Sequence, residues 1–457
     1  MTGSSLLAIA RERGGWLVLA MLALQVGTLA MRGVMLGPEA HLLVAGILVL
    51  SLLAGAAVLW LPERAVQAVE SGVRAVHARD VRASAALLLV SFALLFANVF
   101  LQQPHAWDER GILDAAPRIA TFGFGGLIES YRVNPWLGPQ HPPLPPLLYA
   151  VVWALGGASV FAMRMVGVVL GCGVVLLAFR IGARLFDRTI GFAGAALLLT
   201  TPLFVRTASA ATNDIPLMFL FCLAILFGIR LLEAPSDRRA VALGVVIGIG
   251  LLTKYTMVFV YPVLLALLLP FGRPPRIWRL LAIVLAVSLG MLAVWLVLAS
   301  TAGILERQTA KVGQLATVST RSTRWALQGL FVRLPSALGI YAIPVILLGM
   351  WDCARSARSV RSANGFALAW LFGIGVPLVV TLPVNRFFLP AFPAVTIVMA
   401  LALADRRANA VRVALLLAAL CGITLLYYAW VDLSIPLSLY GGPSAPASAG
   451  TSAGSGP

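Results

Sequence analysis

The chain has 457 residues, 60% of them hydrophobic and only 11% charged, with a formal net charge of +17. Soluble domains carry about a quarter charged residues, so the composition defines a polytopic membrane protein and excludes an ordinary soluble domain. The basic residues are scattered through short connections instead of gathered on one domain. That excludes a nucleic-acid binder and matches the positive-inside signal of membrane proteins.

A membrane span needs roughly 20 apolar residues, fewer where neighbours shield its ends. In chain order, such runs fall near 15–36, 40–61, 83–103, 159–179, 189–204, 214–232, 240–253, 255–271, 280–300, 335–351, 364–383, 387–404 and 410–431. The expected fold class is therefore all-α, a polytopic transmembrane bundle of about 13 helices with an outward-facing amphipathic loop region. The run 189–204 is short, and the pair split at Lys254 could be one long helix. The run 144–157 is either a further span or a partly inserted segment. Cys172, Cys222, Cys353 and Cys421 lie in or at the ends of apolar runs with no CxxC spacing, and read as small core residues. No convincing cleavage site follows the first apolar run, so the N-terminus does not read as a cleavable signal. The tail from Gly441 is low-complexity and is expected to be disordered.

Arginine sets the orientation. Arg11 and Arg13, the group Arg64, Arg74, Arg79 and Arg82, then Arg180, Arg184 and Arg188, Arg238 and Arg239, Arg273, Arg276 and Arg279, Arg355, Arg358 and Arg361, and Arg406, Arg407 and Arg412 all fall on one side if the spans alternate. That side is expected to be the cytoplasm. The opposite side still carries Arg110, Arg118, Arg132, Arg206, Lys254, Arg307, Lys311, Arg321, Arg324 and Arg386. These are either ordinary loop charge or partners for an anionic, membrane-embedded ligand, since phosphate groups need Arg or Lys.

The longest polar interruption of the first half is 104–146, with Asp108, Glu109, Asp114 and Glu129 among three arginines and two histidines. Trp107-Asp108-Glu109 directly follows an apolar run, and ionised groups at that boundary tend to be functional. Four further pieces share the outward side. They are His141-Pro142-Pro143-Leu144, Asn213-Asp214-Ile215-Pro216 after Arg206, Thr253-Lys254-Tyr255, and Asn385-Arg386-Phe387-Phe388-Leu389-Pro390. Each also has a plainer reading. Asp108 and Glu109 could solvate a helix end, and Asp214 could be an N-cap with proline in the first turn. Lys254 could snorkel or pair with an acid, Trp107 could anchor the interface, and His141 could be a packing residue. No acidic residue stands next to Lys254 or Arg386 in sequence, which leaves two cations at an apolar boundary to be neutralised by something else.

The five pieces, in this order across 107–393, resemble the GT-C superfamily of integral-membrane glycosyltransferases, within the family of protein mannosyltransferases and lipid A aminoarabinose transferases. Those enzymes show an acidic pair after an early span, a His/Lys-Pro-Pro-Leu run, an Asp-and-Pro start to a later helix, a Thr-Lys break and an Arg-[Tyr/Phe]-[Phe/Leu]-Leu-Pro run. The resemblance implies a polyprenyl-phosphate sugar donor, a glycan, lipid or protein acceptor and no nucleic acid. It implies that Asp108 is the general base with Glu109 beside it, that Asp214 is a second acid, and that Lys254, Arg386 and Arg206 face the donor phosphate. His141 and Trp107 would meet substrate. No cofactor is expected. Two to four carboxylates could hold a divalent metal ion, but relatives by motif mostly work without one.

A donor of this kind already carries a good leaving group, so the chemistry asks for a base and for cations near the departing phosphate. The implied division is 1–82 as an N-terminal two-helix addition and linker, 83–440 as the catalytic domain and 441–457 as the tail. No folded outward domain is expected after the last span, where relatives often carry one, which leaves the acceptor open. The implied location is a bacterial plasma membrane with the site facing the exterior. Competing classes are a transporter or flippase, which would show matched halves with interrupted helices, and a ligase of lipid-linked sugars, which would want a large late outward loop. The loop 301–334, rich in Ser, Thr and Gly with spaced cations, reads as a flap over the donor phosphate.

Overall fold

The computed structural model of the protein describes residues 15–36, 38–77, 79–102, 107–134, 137, 141–268, 274–306, 337–356, 363–381, 385–404 and 407–430. Within them the chain is all-α with no strand, as the apolar runs predict, but forms 17 α-helices where about 13 were expected. They begin with α1 (Gly15–Leu36), α2 (Pro38–Leu59), the short α3 (Glu63–His77) in the arginine-rich connection, and α4 (Asp80–Leu101). Next come α5 (Trp107–Val133), α6 (Leu144–Leu155), α7 (Val160–Leu185), the pair α8 (Arg188–Leu198) and α9 (Pro202–Ala208), α10 (Asp214–Glu233) and α11 (Asp237–Thr253). A 3-10 turn (Tyr255–Phe259) leads into α12 (Val260–Leu268), and α13 (Pro274–Thr301) follows. After another 3-10 turn (Ile340–Ala342) stand α14 (Ile343–Ser356) and α15 (Ala363–Thr381). A 3-10 segment (Asn385–Ala391) then opens α16 (Phe392–Ala404), and α17 (Arg407–Trp430) is last.

Among the described residues seven helices are long and apolar enough to cross a membrane, or eight if α8 and α9 form one bent span. The expectation of about 13 crossings is not met by that measure, because several runs become short or interrupted helices. The run 144–157 is the 12-residue α6, about 18 Å long and too short to cross alone. The helix is broken at Lys254, whose backbone is extended (φ −160°, ψ 132°). The tail from Gly441 and most of the expected flap, its part 307–334, lie outside the described residues.

Ion pairs between helix termini mark one end of the bundle. Arg188 at the start of α8 meets Asp80 at the start of α4 (2.8 Å), Arg184 near the end of α7 meets Glu233 at the end of α10 (2.6 Å), and Arg279 of α13 pairs with Asp237 at the start of α11. Buried Arg412 of α17 reaches Glu63 (2.7 Å) and the carbonyl of Leu61 (3.0 Å). Exposed Trp16, Trp60, Trp278 and Trp351 sit at the helix ends on this same side, the interfacial position of tryptophan. The arginine-rich segments therefore share one end, as the alternation predicts. The start of α10, the end of α11 and the segment 385–391 lie at the other.

Two features shape that second end. The first is the break between α8 and α9, a bend of 72°. Backbone groups freed inside a bilayer need partners from the protein, and buried or half-buried polar side chains supply them. Tyr341 Oη donates to the carbonyl of Thr200 (3.1 Å), Asn98 Nδ2 to that of Val205 (3.4 Å) and Gln102 Nε2 to that of Arg206 (2.9 Å). Gly167 of α7 lets the link after α9 come close, since a Cβ there would stand 2.7 Å from the carbonyl oxygen of Ala210.

The second feature is α5, which the sequence suggested as a loop. It is a helical hairpin, reversed at Gly123 (φ 55°, ψ −131°), a conformation for which glycine is suited. Asn134 Nδ2 donates to the carbonyl of Gly111 (2.9 Å), 23 residues back, a separation of about 34 Å in a straight helix. Ile112, Ala115, Ala116 and Ile119 supply the buried face of its first arm.

Candidate active site

The reversed α5 brings its first turn against the link that joins α9 to α10. Glu109 is 0% exposed and is gripped by Arg164 of α7 through two bonds, Nε to Oε1 (2.8 Å) and Nη2 to Oε2 (2.7 Å). Its Oε1 also accepts from the backbone N–H of Ala211 (3.1 Å). Arg164 Nη1 donates to the carbonyl of Val99 near the end of α4 (3.4 Å). Glu109 thus fastens three elements together, and its carboxylate has the setting of an anchor. The side chains of Trp107 and Asp108 lie outside the described residues, while their backbone forms the start of α5.

Asp214, in the first turn of α10, is the centre of the charged group. It is 1% exposed; Lys254 Nζ stands 2.5 Å from its Oδ1, and Arg386 Nη1 stands 3.5 Å from its Oδ2. The N-cap reading of Asp214 is corrected, because Asn213 occupies the cap position and the Asp214 carboxylate is engaged with the two cations. The suggestion that Lys254 and Arg386 lack a protein counter-charge is corrected as well. Both have the same one, 40 and about 170 residues away in sequence, where adjacency could not show it. Helix dipoles reinforce the arrangement, since Asp214 lies at an N-terminus and Lys254 just past the C-terminus of α11. Lys254 also lies 4.2 Å from the centre of the Phe387 ring, a cation–π contact. The segment carrying Arg386 is fixed by buried Phe388 and Leu389 and by Trp370 of α15, whose indole N–H donates to the Pro390 carbonyl (3.0 Å). Arg386 keeps 30% of its side chain exposed, so the charged group is not fully enclosed on that side.

His141 is buried, with Nδ1 3.0 Å from Asn213 Nδ2, which ties the proline run to the link before Asp214. Its carbonyl accepts from Tyr131 Oη (2.7 Å) at the far end of the hairpin. Burial, and secondarily Tyr255, raises the Tyr131 pKa well above the usual tyrosine range, which keeps that donor protonated. Tyr131 packs on Trp295 of α13 (ring centroids 5.4 Å apart), and the Trp295 indole donates to Tyr255 Oη (3.1 Å), the residue after Lys254. Arg206 is half-buried near the end of α9, in the segment leading to Asp214. The geometry therefore gathers Asp214, Lys254, Arg386 and His141 and brings the start of α5 to the same link. Among the described residues no group of three or more His, Cys, Asp and Glu side chains could hold a metal ion.

Arg164 and Asn213 were not singled out as site residues by the sequence reading. An arginine one turn into an otherwise apolar span is a legible signal for the first, since such a charge needs a buried partner. Asn213 differs from many buried asparagines only by its neighbours, which the sequence does not reveal.

The family model described as dolichyl-phosphate-mannose-protein mannosyltransferase matches residues 140–301. Among solved structures, ArnT from Cupriavidus metallidurans bound to undecaprenyl phosphate is similar with a TM-score of 0.53 and 19% identity, over 70% of this chain and 60% of that one. The same protein in the apo state gives 0.51 and 19%, over 70% and 59%. The archaeal oligosaccharyltransferase AglB from Archaeoglobus fulgidus gives 0.49 and 12%, over 70% and 50%. No curated protein matches in sequence. The ArnT comparisons show the GT-C fold that the ordered motifs imply, and the chain spans about three fifths of the length of those ArnT structures.

Proposed function

We propose that the protein is a glycosyltransferase that moves a hexosyl or pentosyl group from a polyprenyl-phosphate carrier to an acceptor hydroxyl on the outer face of a bacterial plasma membrane. The observation that supports this reading best is Asp214 held between Lys254 and Arg386, one carboxylate against two cations, at the end of the bundle where α5 begins. A polyprenyl-phosphate sugar is a phosphodiester with one negative charge, and a lysine with an arginine beside it is the kind of cation pair that binds such a group. The family match to a mannosyltransferase that uses dolichyl phosphate-mannose, and the ArnT structure bound to undecaprenyl phosphate, support the class of carrier.

In the proposed reaction the acceptor oxygen attacks the anomeric carbon from the face opposite the phosphate, so configuration inverts. Asp108 takes the hydroxyl proton as the new C–O bond forms. The bond from the anomeric carbon to the phosphate oxygen breaks, and its electron pair leaves with polyprenyl phosphate, which gains a charge. Lys254 and Arg386 stabilise that growing charge, as cations fixed before the reaction do at low dielectric cost. Glu109, held by Arg164, acts as a positioning residue that sets the start of α5. Arg206 adds to the field around the phosphate, and His141 and Trp107 border the substrate. The reaction so described needs no metal ion.

The test is the purified protein in nanodiscs with synthetic undecaprenyl-phosphoryl sugars and a membrane extract as acceptor. Sugar-dependent release of undecaprenyl phosphate is expected. Movement of the lipid across vesicles without release would replace the transferase reading with a flippase.

A further inference from the structure

The link from Ser209 to Asn213 and the following Asp214 are buried throughout, with Thr212 5% exposed and Asn213 fully enclosed. Most of its polar groups have partners. Ser209 Oγ donates within reach of the Leu95 and Val205 carbonyls (2.9 and 2.8 Å), Ala211 N–H donates to Glu109 (3.1 Å), and the Thr212 carbonyl accepts from Tyr149 Oη (2.8 Å). Three side-chain oxygens on consecutive residues take part in no hydrogen bond, although Asp214 Oδ2 stands in the ion pair with Arg386. Thr212 Oγ1, Asn213 Oδ1 and Asp214 Oδ2 form no hydrogen bond with any described residue. If the Asn213 amide were turned over, its other atom would be left in the same position, so the surplus does not depend on that assignment. Buried polar groups are otherwise almost always paired, and three successive exceptions beside a charged cluster mark a place prepared for a ligand.

We propose that Thr212, Asn213 and Asp214 form a receptor for the donor's sugar ring, one that requires at least two neighbouring O–H or N–H groups on that ring. This rests on the transferase reading and extends it to the part of the donor that decides specificity. The three groups are a carboxylate oxygen, which only accepts, a hydroxyl and one end of an amide, so the fitting ligand carries hydroxyls, which can both donate and accept. Asp214 Oδ2 lies 3.5 Å from Arg386 Nη1, which sets the receptor directly beside the cations assigned to the phosphate. A glycosyl phosphate carries its ring one bond from the phosphate oxygen, which matches that adjacency. A site whose polar groups are left over without the ring discriminates strongly against analogues that lack the matching hydroxyl.

The experiment measures binding in nanodiscs without acceptor, so that an acceptor hydroxyl cannot contribute. The probes are undecaprenyl phosphate and undecaprenyl-phosphoryl-glucose, -mannose and -arabinose. Thr212→Val, which keeps shape and removes the hydroxyl, is expected to weaken the best glycosylated probe by about tenfold while leaving undecaprenyl phosphate unchanged. Thr212→Ser should retain the wild-type ratio, and Asn213→Ser should shift it in the direction of Thr212→Val. The lipid-free Thr212→Val protein should melt no lower than wild type, because a hydroxyl with no partner contributes nothing to the fold. A lower melting point would reveal a structural partner or ordered water and overturn the proposal. Equal loss for both kinds of probe, or no loss for either, would overturn it too. Failure of the wild type to bind any of the phosphate lipids would instead remove the transferase reading, and the receptor with it.

Discussion

Arg164→Met isolates the energetic role of the anchor beneath the start of α5. Methionine keeps most of the arginine's length but removes both bonds to Glu109, whose side chain is 0% exposed. The partner that remains among the described residues is the Ala211 N–H at 3.1 Å, a single neutral donor for a full charge. Breaking a buried ion pair by removing one member costs about 3–5 kcal/mol, because the other charge is left uncompensated. Adding Glu109→Gln removes that charge, while the amide oxygen can still accept from Ala211. The double variant should therefore recover most of the loss, with a coupling of about 2–3 kcal/mol between the two sites. The assay is reversible unfolding in mixed micelles for the wild type, both single variants and the double variant. If Arg164→Met alone were as stable as the double variant, Glu109 would not depend on Arg164 and the anchor reasoning would be wrong. Transfer activity is the second readout, since turnover should fall in every variant that loosens the residue following Asp108.

Asp108→Asn should abolish transfer without changing the melting point or the affinity for undecaprenyl phosphate; near wild-type turnover would remove Asp108 from the base role. Lys254→Ala should lower donor affinity and the single-turnover rate together and also destabilise the fold by about 3–5 kcal/mol, since buried Asp214 loses its close partner. Arg386→Lys should restore only part of the activity lost in Arg386→Ala, because a lysine is a point charge without the guanidinium fork, and full recovery in single-turnover assays would count against a phosphate grip. Gly123→Ala should destabilise by about 1–3 kcal/mol through the positive φ at the reversal of α5, checked by unfolding in micelles.

The transmembrane runs were legible because a long apolar stretch has few other uses, and the arginine rule correctly sorted helix ends that ion pairs such as Arg184–Glu233 now tie together. The hairpin was hidden by its own punctuation. Pro117, Gly123, Gly125 and Gly126 look like loop residues, yet Gly126 is small because the reversed chain brings the Arg118 carbonyl to where a Cβ would stand, 2.3 Å away. Asp214, Lys254 and Arg386 were picked out one at a time as charges at apolar boundaries, but their mutual pairing was not, since nothing local links positions so far apart. Arg164 was passed over because it sits inside a run that reads as a simple span. Its partner, Glu109, was read for chemistry when its surroundings are those of a fastening.

The wide spacing of the charged group bears on how the protein is made. Asp214 enters the membrane at the head of α10, and its close partner Lys254 follows 40 residues later, about 2–8 s at ordinary rates of synthesis. Until Arg386 arrives, about 170 residues after Asp214, the pair is electrically neutral. The nascent bundle therefore carries a balanced, lipid-compatible pair through most of its assembly, and the second cation joins Asp214 only when the segment Asn385–Ala391 docks. A ribosome-bound chain lacking that segment would hold the carboxylate and the lysine together and yet lack the guanidinium assigned to the phosphate.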